Sequence, residues 1–346
     1  MNLPIVCEKV NGRCGHAGCA QRGYARQGFS PRRGVLMYRA LKYRAPKSEA
    51  LKYMALRYMA LIGDADCTSM GLLVQFFSMM PTLEFVSDSR LAKLKLALVS
   101  LEGLHWELAR DLVAPQSLFD EMMAQARQSA AGAFRPANGE ASMAMPNAAS
   151  GAKVVERRTH AVRDMLRNGS YKPAGRAKPS SEYLLAVALE GDFPQVNPFV
   201  NAVNLASLKY LYPMSIFDAD KAGGALVCRL GAAGESYVFN SSGQTIDLED
   251  LLCVCAKKPA RDLDVSAMGP AELGIPIVNP VRDSMATKLF EGAHNAIVII
   301  YAPSGTEGAD LEHAAADIAA WCGPACESTD IRIFDTEAKK AERKII

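Results

Sequence analysis

The order of hydrophobic patterns along the chain constrains its fold more than any other feature of the sequence. Before Asp220, apolar residues recur at helical spacing in segments such as 156–168 and 199–211. Beyond Asp220, the pattern changes to short β-rich runs separated by Gly, Asn and Pro. Helices followed by strands favour an α+β layered domain, with a mixed β-sheet flanked by helices, over a doubly wound parallel sheet.

Prolines and cap residues divide these regions into individual elements. Pro115 interrupts one helical pattern, and Gly169, Ser180 and Gly191 stand where helix caps are expected. Helices are predicted at 107–128, 156–168, 181–190, 199–211 and 307–321. Strands are predicted at 94–101, 226–230, 236–240, 251–256, 275–278, 296–301 and 331–335.

The first 70 residues contain a repeat that suits neither a helix nor a strand. Residues 38–62 are five tandem pentads, YRALK, YRAPK, SEALK, YMALR and YMALI. Because a period of five keeps no helix face apolar, residues 1–70 are predicted to be a disordered or low-complexity basic extension. Residues 80–338 are predicted to form one domain, with a flexible Ala/Gly/Ser-rich loop at 129–152.

Charge is distributed unevenly between these two parts. Residues 1–63 carry twelve Lys or Arg residues and two acidic residues, whereas the remainder carries 27 basic and 35 acidic residues. A basic arm of this kind is typical of nucleic-acid binding. The acidic remainder argues against a broad electrostatic footprint for nucleic acid on the domain itself.

The sequence lacks the signals of several protein classes. No run of about 18 apolar residues is present, so no membrane-spanning helix and no membrane partner are expected. The N-terminus has no signal-peptide pattern, and the nine cysteines show no disulfide framework. We therefore expect a cytoplasmic protein with reduced thiols.

Signatures of common catalytic and cofactor sites are also missing. There is no Gly-rich phosphate loop, no G-x-S-x-G, no H-E-x-x-H and no G-x-G-x-x-G after a strand. The five histidines form no spaced pair. We expect neither a bound metal nor a cofactor.

A cluster of basic residues spans the end of one predicted helix and the loop that follows it. Five positive charges within 16 residues are a candidate RNA-binding site, since they can contact phosphates. A solvated helix end whose basic residues favour the helix dipole is the alternative interpretation. The five residues are Arg163, Arg167, Lys172, Arg176 and Lys178.

Two further clusters carry amides, hydroxyls and carboxyls. Such groups can form hydrogen bonds with polar atoms of a ligand, but they also cap helices and form turns. Both interpretations stay open. The first cluster comprises Asn197, Asn201, Asn204, Ser215, Asp218 and Asp220. The second comprises Asn279, Arg282, Asp283, Ser284 and Thr287, directly after a predicted strand.

Several elements between residues 197 and 255 occur together in one known family. They are a V-N-x-x-N helix, Pro213, an I-F-D-A-D run at 216–220, Gly223-Gly224, Arg229, and Gly234-Glu235 before a strand. In this combination the chain resembles the tRNA-binding editing domain of the bacterial phenylalanyl-tRNA synthetase beta subunit. With its lead-in and closing segments, the resemblance covers residues 83–335.

The resemblance implies a free-standing relative of that domain, which hydrolyses a wrongly attached amino acid from tRNA. The implied partner is tRNA or aminoacyl-tRNA, and no obligate protein partner is expected. The chain has no aminoacylation core, so it is not expected to be a complete synthetase. By resemblance, Asn204 and Ser215 are candidate catalytic residues. Candidate substrate-binding residues are Asn201, Asp218, Arg229, Glu235, Asp283, Ser284 and Thr287.

The chain departs from the family pattern at two places. Ser215 stands where the synthetase domain has a histidine, and no acid lies at 299–301, where the family acid reads a tyrosine hydroxyl. Proofreading of a different amino acid is compatible with both departures. A module that binds tRNA or an amino-acid-like ligand without hydrolysis is the alternative.

Overall fold

The computed structural model describes residues 81–130, 148–257, 273–306, 308–336 and 340–344. The extension at 1–70 and the central part of the 129–152 loop lie outside these residues. Strands β1 to β11 are Thr82–Phe85, Leu94–Leu104, Met214–Asp218, Ala225–Leu230, Ser236–Val238, Thr245–Asp247, Leu252–Ala256, Ile275–Val278, Asn295–Pro303, Cys326–Asp335 and Lys340–Lys344. Helices α1 to α7 are Trp106–Leu112, Gln116–Ala130, Ala148–Leu166, Ser180–Glu190, Pro198–Tyr210, Ala219–Ala222 and Gly308–Cys322.

The strands form two principal sheets and one hairpin. The larger sheet has the order β11-β10-β2-β9-β3, and its neighbouring strands are all antiparallel. The smaller sheet has the order β1-β4-β7-β8 and is mixed, because β1 runs parallel to β4. Strands β5 and β6 pair with each other. Consequently β3 and β8 are edge strands of two different sheets.

Alternate residues of β4 contact two different hydrophobic clusters. Leu226 and Cys228 belong to the main core, which also contains residues of the larger sheet and of the helices. Val227 belongs to a smaller cluster with Cys253 and Cys255 of β7. This division follows from the two-residue period of a strand, and it means that β4 and β7 are buried on both faces.

Helices cover the larger sheet. The helices α2, α4 and α5 share a second hydrophobic cluster, to which Met122, Leu184 and Leu205 contribute. Helix α7 packs against α5 and against β2, β9 and β10. The molecule therefore has the α+β architecture expected from the sequence, with a mixed sheet flanked by helices. None of the helices in the described segments combines the length and the apolar content needed to cross a membrane.

The predicted elements agree with the structure in type, with differences at their ends. Gly191 follows α4 in the left-handed conformation, with φ of 84°, as expected for a C-cap. The expectation that Ser180 caps this helix is wrong, because the helix begins at Ser180 and Pro179 occupies the N-cap position. The pattern also missed β3, since its five residues are all buried and show no alternation.

Gly231 ends β4 at a point where two backbone segments come very close. Its N–H donates to the Leu251 carbonyl at 2.8 Å, and its carbonyl accepts from the Asp250 N–H at 3.0 Å. A Cβ atom at position 231 would lie 1.9 Å from the Leu248 carbonyl oxygen. Only glycine therefore fits at this junction between β4 and the turn before β7.

We expect Gly231→Ala to lower the free energy of unfolding by about 3 kcal/mol or more, because the backbone must move to admit the methyl group. Gly224→Ala is the matched control, since no atom lies within 4 Å of the Cβ that it would add. Urea unfolding followed by circular dichroism measures both variants. Equal stability of the two would contradict the close packing at Gly231.

Candidate active site

Polar side chains meet where the edge strand β3 of the larger sheet approaches the end of β8 in the smaller sheet. Ser215 lies in β3, Tyr301 in the neighbouring strand β9, and Asn279 directly after β8. Asp283 follows four residues later in the same loop. We call these four residues, together with Tyr237 of β5, the Ser215–Asp283 cluster.

The hydroxyl of Ser215 has one proton to donate, and the geometry assigns it to Asp283. Ser215 Oγ lies 2.7 Å from Asp283 Oδ1, and 3.3 Å from both the Asn279 carbonyl oxygen and the Tyr301 hydroxyl. Burial raises the pKa of Tyr301 well above its usual value, so this phenol keeps its proton. When Asp283 is ionised, Tyr301 therefore donates to Ser215 and Ser215 donates to Asp283.

The buried amide of Asn279 fixes the loop that carries Asp283. Its Oδ1 accepts hydrogen bonds from the backbone N–H groups of Val281 and Arg282, each at 2.8 Å. Its Nδ2 donates to the hydroxyl of Tyr237, which in turn donates to the Arg282 carbonyl oxygen. Because every polar atom of this amide is engaged, the loop has one well-defined path.

The environment of Asp283 shifts its ionisation towards neutral pH. Burial of the carboxyl group raises its pKa to about 7. The hydrogen bond from Ser215 and the charge of Lys288 act in the opposite direction without cancelling this effect. Taken as a whole residue, Asp283 is partly exposed, whereas Ser215 is buried.

This arrangement suits proton transfer. A carboxyl group with a pKa near 7 can accept a proton from water and return it at neutral pH. Among the described residues no histidine contacts Ser215 to activate it as a nucleophile, and its own proton goes to the carboxyl. In the described segments, no group of three or more His, Cys, Asp or Glu side chains is arranged to hold a metal ion.

The structure pairs Arg229 with Glu235, two of the predicted substrate-binding residues. The Arg229 side chain is 1% exposed, and its terminal nitrogens donate to the two Glu235 carboxylate oxygens at 2.7 and 2.6 Å. It also donates to the Gly274 carbonyl at 2.8 Å, while Glu235 accepts from the Ala232 N–H at 2.9 Å. The pair holds the turn between β4 and β5 in place, and the buried charge is neutralised.

Asp218 and Ser284 act as caps next to the cluster. The Asp218 carboxylate accepts from the N–H groups of Asp220 and Lys221, both at 3.1 Å, at the start of α6. The Ser284 hydroxyl caps the 3₁₀ turn Met285–Thr287. Thr287 is buried in that turn.

The asparagines of α5 have separate roles. Asn197 caps the helix by accepting from the Val200 N–H at 3.0 Å. Asn201 accepts from the Val196 N–H at 2.9 Å and holds the preceding segment. Asn204, the other candidate catalytic residue, is half-buried, and its side chain makes no hydrogen bond to another residue of the described segments.

Two residues of the predicted RNA-binding cluster form ion pairs within the domain. Arg163 makes a bidentate pair with Glu182, which ties α3 to α4. Arg167, directly after the end of α3, lies 3.5 Å from Asp164 of that helix, and both side chains are about half exposed. An exposed pair of this kind contributes little to stability and leaves the arginine accessible.

The other three residues of that cluster project from the loop between α3 and α4. Lys172, Arg176 and Lys178 are all exposed. The Tyr171 hydroxyl donates to the Ala177 carbonyl at 2.7 Å, so the loop that carries these charges is closed on itself. The structure thus presents three basic side chains on one short, anchored segment.

Sequence reasoning missed three residues at the site. Tyr301 lies at the end of the apolar run of β9, a pattern typical of the hydrophobic core. Tyr237 lies in a short, largely exposed hairpin strand. Lys288 donates to the Phe239 carbonyl at 2.7 Å and bridges to Phe217 of β3. Only the proximity of Lys288 to the polar cluster at 279–287 could have indicated its position.

Comparison with known families identifies one domain in the chain. Residues 172–269 match the family model of the B3/4 domain, which is the domain found in the phenylalanyl-tRNA synthetase beta subunit. The match includes Ser215, and it ends before Asp283 and Tyr301. No curated protein matches the chain. The resemblance inferred from the sequence is therefore confirmed at the level of this domain.

We expect Asp283 to make the stability of the protein depend on pH in the sense opposite to that of a salt-bridged acid. Its pKa rises from 3.8 to about 7 on folding, so the folded protein binds more protons between these values. The free energy of unfolding contributed by this group therefore falls as the pH rises from about 4 to about 7. Asp283→Asn cannot ionise and should gain stability relative to the natural protein over that range.

Urea unfolding midpoints at about pH 5 and about pH 8 measure this difference. Asp192→Asn makes the same chemical change at an exposed position and serves as the control. A difference between Asp283→Asn and the natural protein that does not change with pH would show that the Asp283 carboxyl is not buried as described.

Proposed function

We propose that this protein binds tRNA and hydrolyses the ester of an amino acid wrongly attached to it. The B3/4 match over residues 172–269 supports the link to the phenylalanyl-tRNA synthetase beta subunit. The hydrogen bond of 2.7 Å between Ser215 and a carboxyl group with a pKa of about 7 carries the proposal, because it supplies a base suited to neutral pH.

In the proposed reaction, the ionised Asp283 carboxylate takes a proton from a water molecule as the water oxygen attacks the ester carbonyl carbon. The bond between that carbon and the ribose oxygen then breaks. Asp283 returns the proton to the ribose oxygen, which leaves as a hydroxyl group. An aminoacyl ester is already activated, so orientation of the water and one base supply most of what is needed.

Ser215 has a positioning role in this scheme. It is buried behind Asp283, and its proton fixes the orientation of the carboxyl group. Tyr301 holds Ser215 in turn. This relay takes the place that a histidine has in the synthetase domain, with the acid contributed by the loop after β8.

We expect Asp283→Asn to lower kcat/KM for deacylation by about 10²- to 10⁴-fold, the usual contribution of a general base. In the natural protein, kcat/KM should rise with pH through about 7 and then level off, because only the ionised carboxylate accepts the proton. Deacylation of a panel of mischarged tRNAs, measured between about pH 5.5 and 8.5, tests both statements.

Asp192→Asn is the control for this experiment and should leave the rate unchanged. Ser215→Ala should reduce the rate less than Asp283→Asn and shift the pH profile, because it changes the environment of the base without removing it. A natural protein that binds tRNA but deacylates none of the panel would favour the non-catalytic binding module.

We further propose that the loop with Lys172, Arg176 and Lys178 contacts tRNA phosphates. The three side chains are exposed on a loop closed by the Tyr171 hydrogen bond, so little order must be gained on binding. The net charge of the domain gives no such attraction, since acidic residues outnumber basic ones beyond residue 63. The domain itself therefore needs a local basic patch to attract tRNA.

Replacing Lys172, Arg176 and Lys178 by Ala should weaken tRNA binding and reduce the slope of log K against log salt by about one unit per lost phosphate contact. Filter binding at several salt concentrations measures this slope. Arg127, Lys153 and Arg157 are also exposed, and their combined replacement by Ala is the control for loss of charge. An equal change in slope in both triple variants would contradict a specific role of the loop.

A further inference from the structure

Two pairs of a cation and an aromatic ring lie near the Ser215–Asp283 cluster; Lys221, Arg282 and Phe290 are exposed, and Phe239 is half-buried. They are formed by residues from four separate segments of the chain. We name them, with the lysine between them, the aromatic–basic surface; its members are Lys221, Phe239, Arg282, Lys288 and Phe290.

The first pair is Arg282 with Phe239. The guanidinium carbon of Arg282 lies 4.4 Å from the centre of the Phe239 ring, within the range of a cation–π contact. Arg282 is exposed and directly precedes Asp283 in the chain. Lys288 Nζ donates to the Phe239 carbonyl at 2.7 Å, which fixes the backbone that carries the ring. The pair is thus held one residue from the proposed catalytic base.

The second pair is Phe290 with Lys221. The Phe290 residue is 53% exposed, which is unusual for a large apolar side chain. Lys221 Nζ lies 5.6 Å from the centre of its ring and 2.8 Å from an Asp218 carboxylate oxygen. Phe290 lies two residues after Lys288 in the chain, and the Lys288 side chain contacts the backbone of Phe239 in the first pair.

The charges on this surface favour an anionic ligand. Of the carboxylates next to it, Asp218 pairs with Lys221 and Glu291 with Arg110 at 2.8 Å, while Asp283 accepts the hydrogen bond from Ser215. Among the described residues, no carboxylate forms an ion pair with Arg282. The exposed aromatic ring and guanidinium group therefore suit a ligand that carries negative charge and flat apolar faces.

We propose that the aromatic–basic surface binds the unpaired nucleotides at the 3′ end of an RNA, with bases stacked on Phe290 and on the Arg282–Phe239 pair. Unstacked bases bind aromatic rings and guanidinium planes in this way, while neighbouring Lys and Arg side chains contact the phosphates. The inference rests on the proposed function, because the amino acid to be removed is attached to such an end. A nucleotide stacked at Arg282 lies next to Asp283.

A double-stranded segment does not fit this surface equally well. Bases in a duplex are stacked on one another, and their faces are not available to Phe290 or Arg282. Two parts of the protein thus contact different parts of the RNA. The Lys172–Lys178 loop contacts phosphates, and the aromatic–basic surface contacts bases. The two contacts respond to different changes in the RNA.

Fluorescence anisotropy with the full-length protein tests the proposal, using a labelled single-stranded RNA of six nucleotides and a blunt-ended RNA duplex as probes. Phe290→Ala and Arg282→Ala should each weaken binding of the single strand by about fivefold to a hundredfold, the range for one lost base stack. Binding of the duplex should change by less than about twofold. Phe290→Tyr should keep the single-strand affinity, because it keeps the aromatic face.

Tyr183→Ala and Arg127→Ala remove one exposed aromatic ring and one exposed charge elsewhere, and neither should change binding of the single strand. Unchanged single-strand affinity in both Phe290→Ala and Arg282→Ala would overturn the proposal, and so would an equal loss of duplex affinity. The binding assay does not depend on hydrolysis. Absence of deacylation with an intact stacking contact would contradict the proposed reaction alone.

Discussion

The hydrogen bond from Ser215 to Asp283 joins segments of two different sheets. Ser215 belongs to the edge strand of the larger sheet, and Asp283 to the loop after the edge strand of the smaller one. Edge strands have unpaired backbone groups and room for irregular segments, so a polar loop can approach β3 without breaking a sheet. The proposed base therefore lies at the junction of the two sheets, and the shared hydrophobic core fixes its position.

The same junction explains why Asp283 is poised near neutral pH. A carboxyl group at a sheet junction is surrounded by protein, which raises its pKa, yet Ser215 and Lys288 stabilise its charge. The Asn279 amide fixes the path of the loop. The carboxyl of Asp283 therefore keeps a constant distance from the groups that raise its pKa and from those that lower it. The proposed chemistry thus depends on a buried side chain that positions the base and is not itself the base.

Local pattern predicted the elements, but it could not predict which polar residues meet. The strands and helices follow from periodicity and caps, since these depend on neighbours in sequence. The pairing of Arg229 with Glu235 was missed because both were assigned to the ligand, although they are six residues apart across a turn. Ser215 and Asp283 were both named as candidates, yet their contact spans 68 residues and depends on sheet order. Tyr301 reads as core and is buried, so sequence gave no sign of its hydroxyl contact.

The two departures from the family pattern, Ser215 in place of a histidine and no acid at 299–301, can be explained together by the chemistry of these groups. A histidine at position 215 would supply its own base, whereas a serine there has no basic atom and needs a carboxyl partner. Asp283 provides that partner from the opposite sheet edge. The phenol of Tyr301, at 299–301 where the family acid was expected, already contacts Ser215 at 3.3 Å. An acid at that position would lie beside Asp283 and raise its pKa further by repulsion. In the proposed reaction the two departures are compatible, because a second carboxyl group behind Asp283 would be disfavoured if Asp283 is the base.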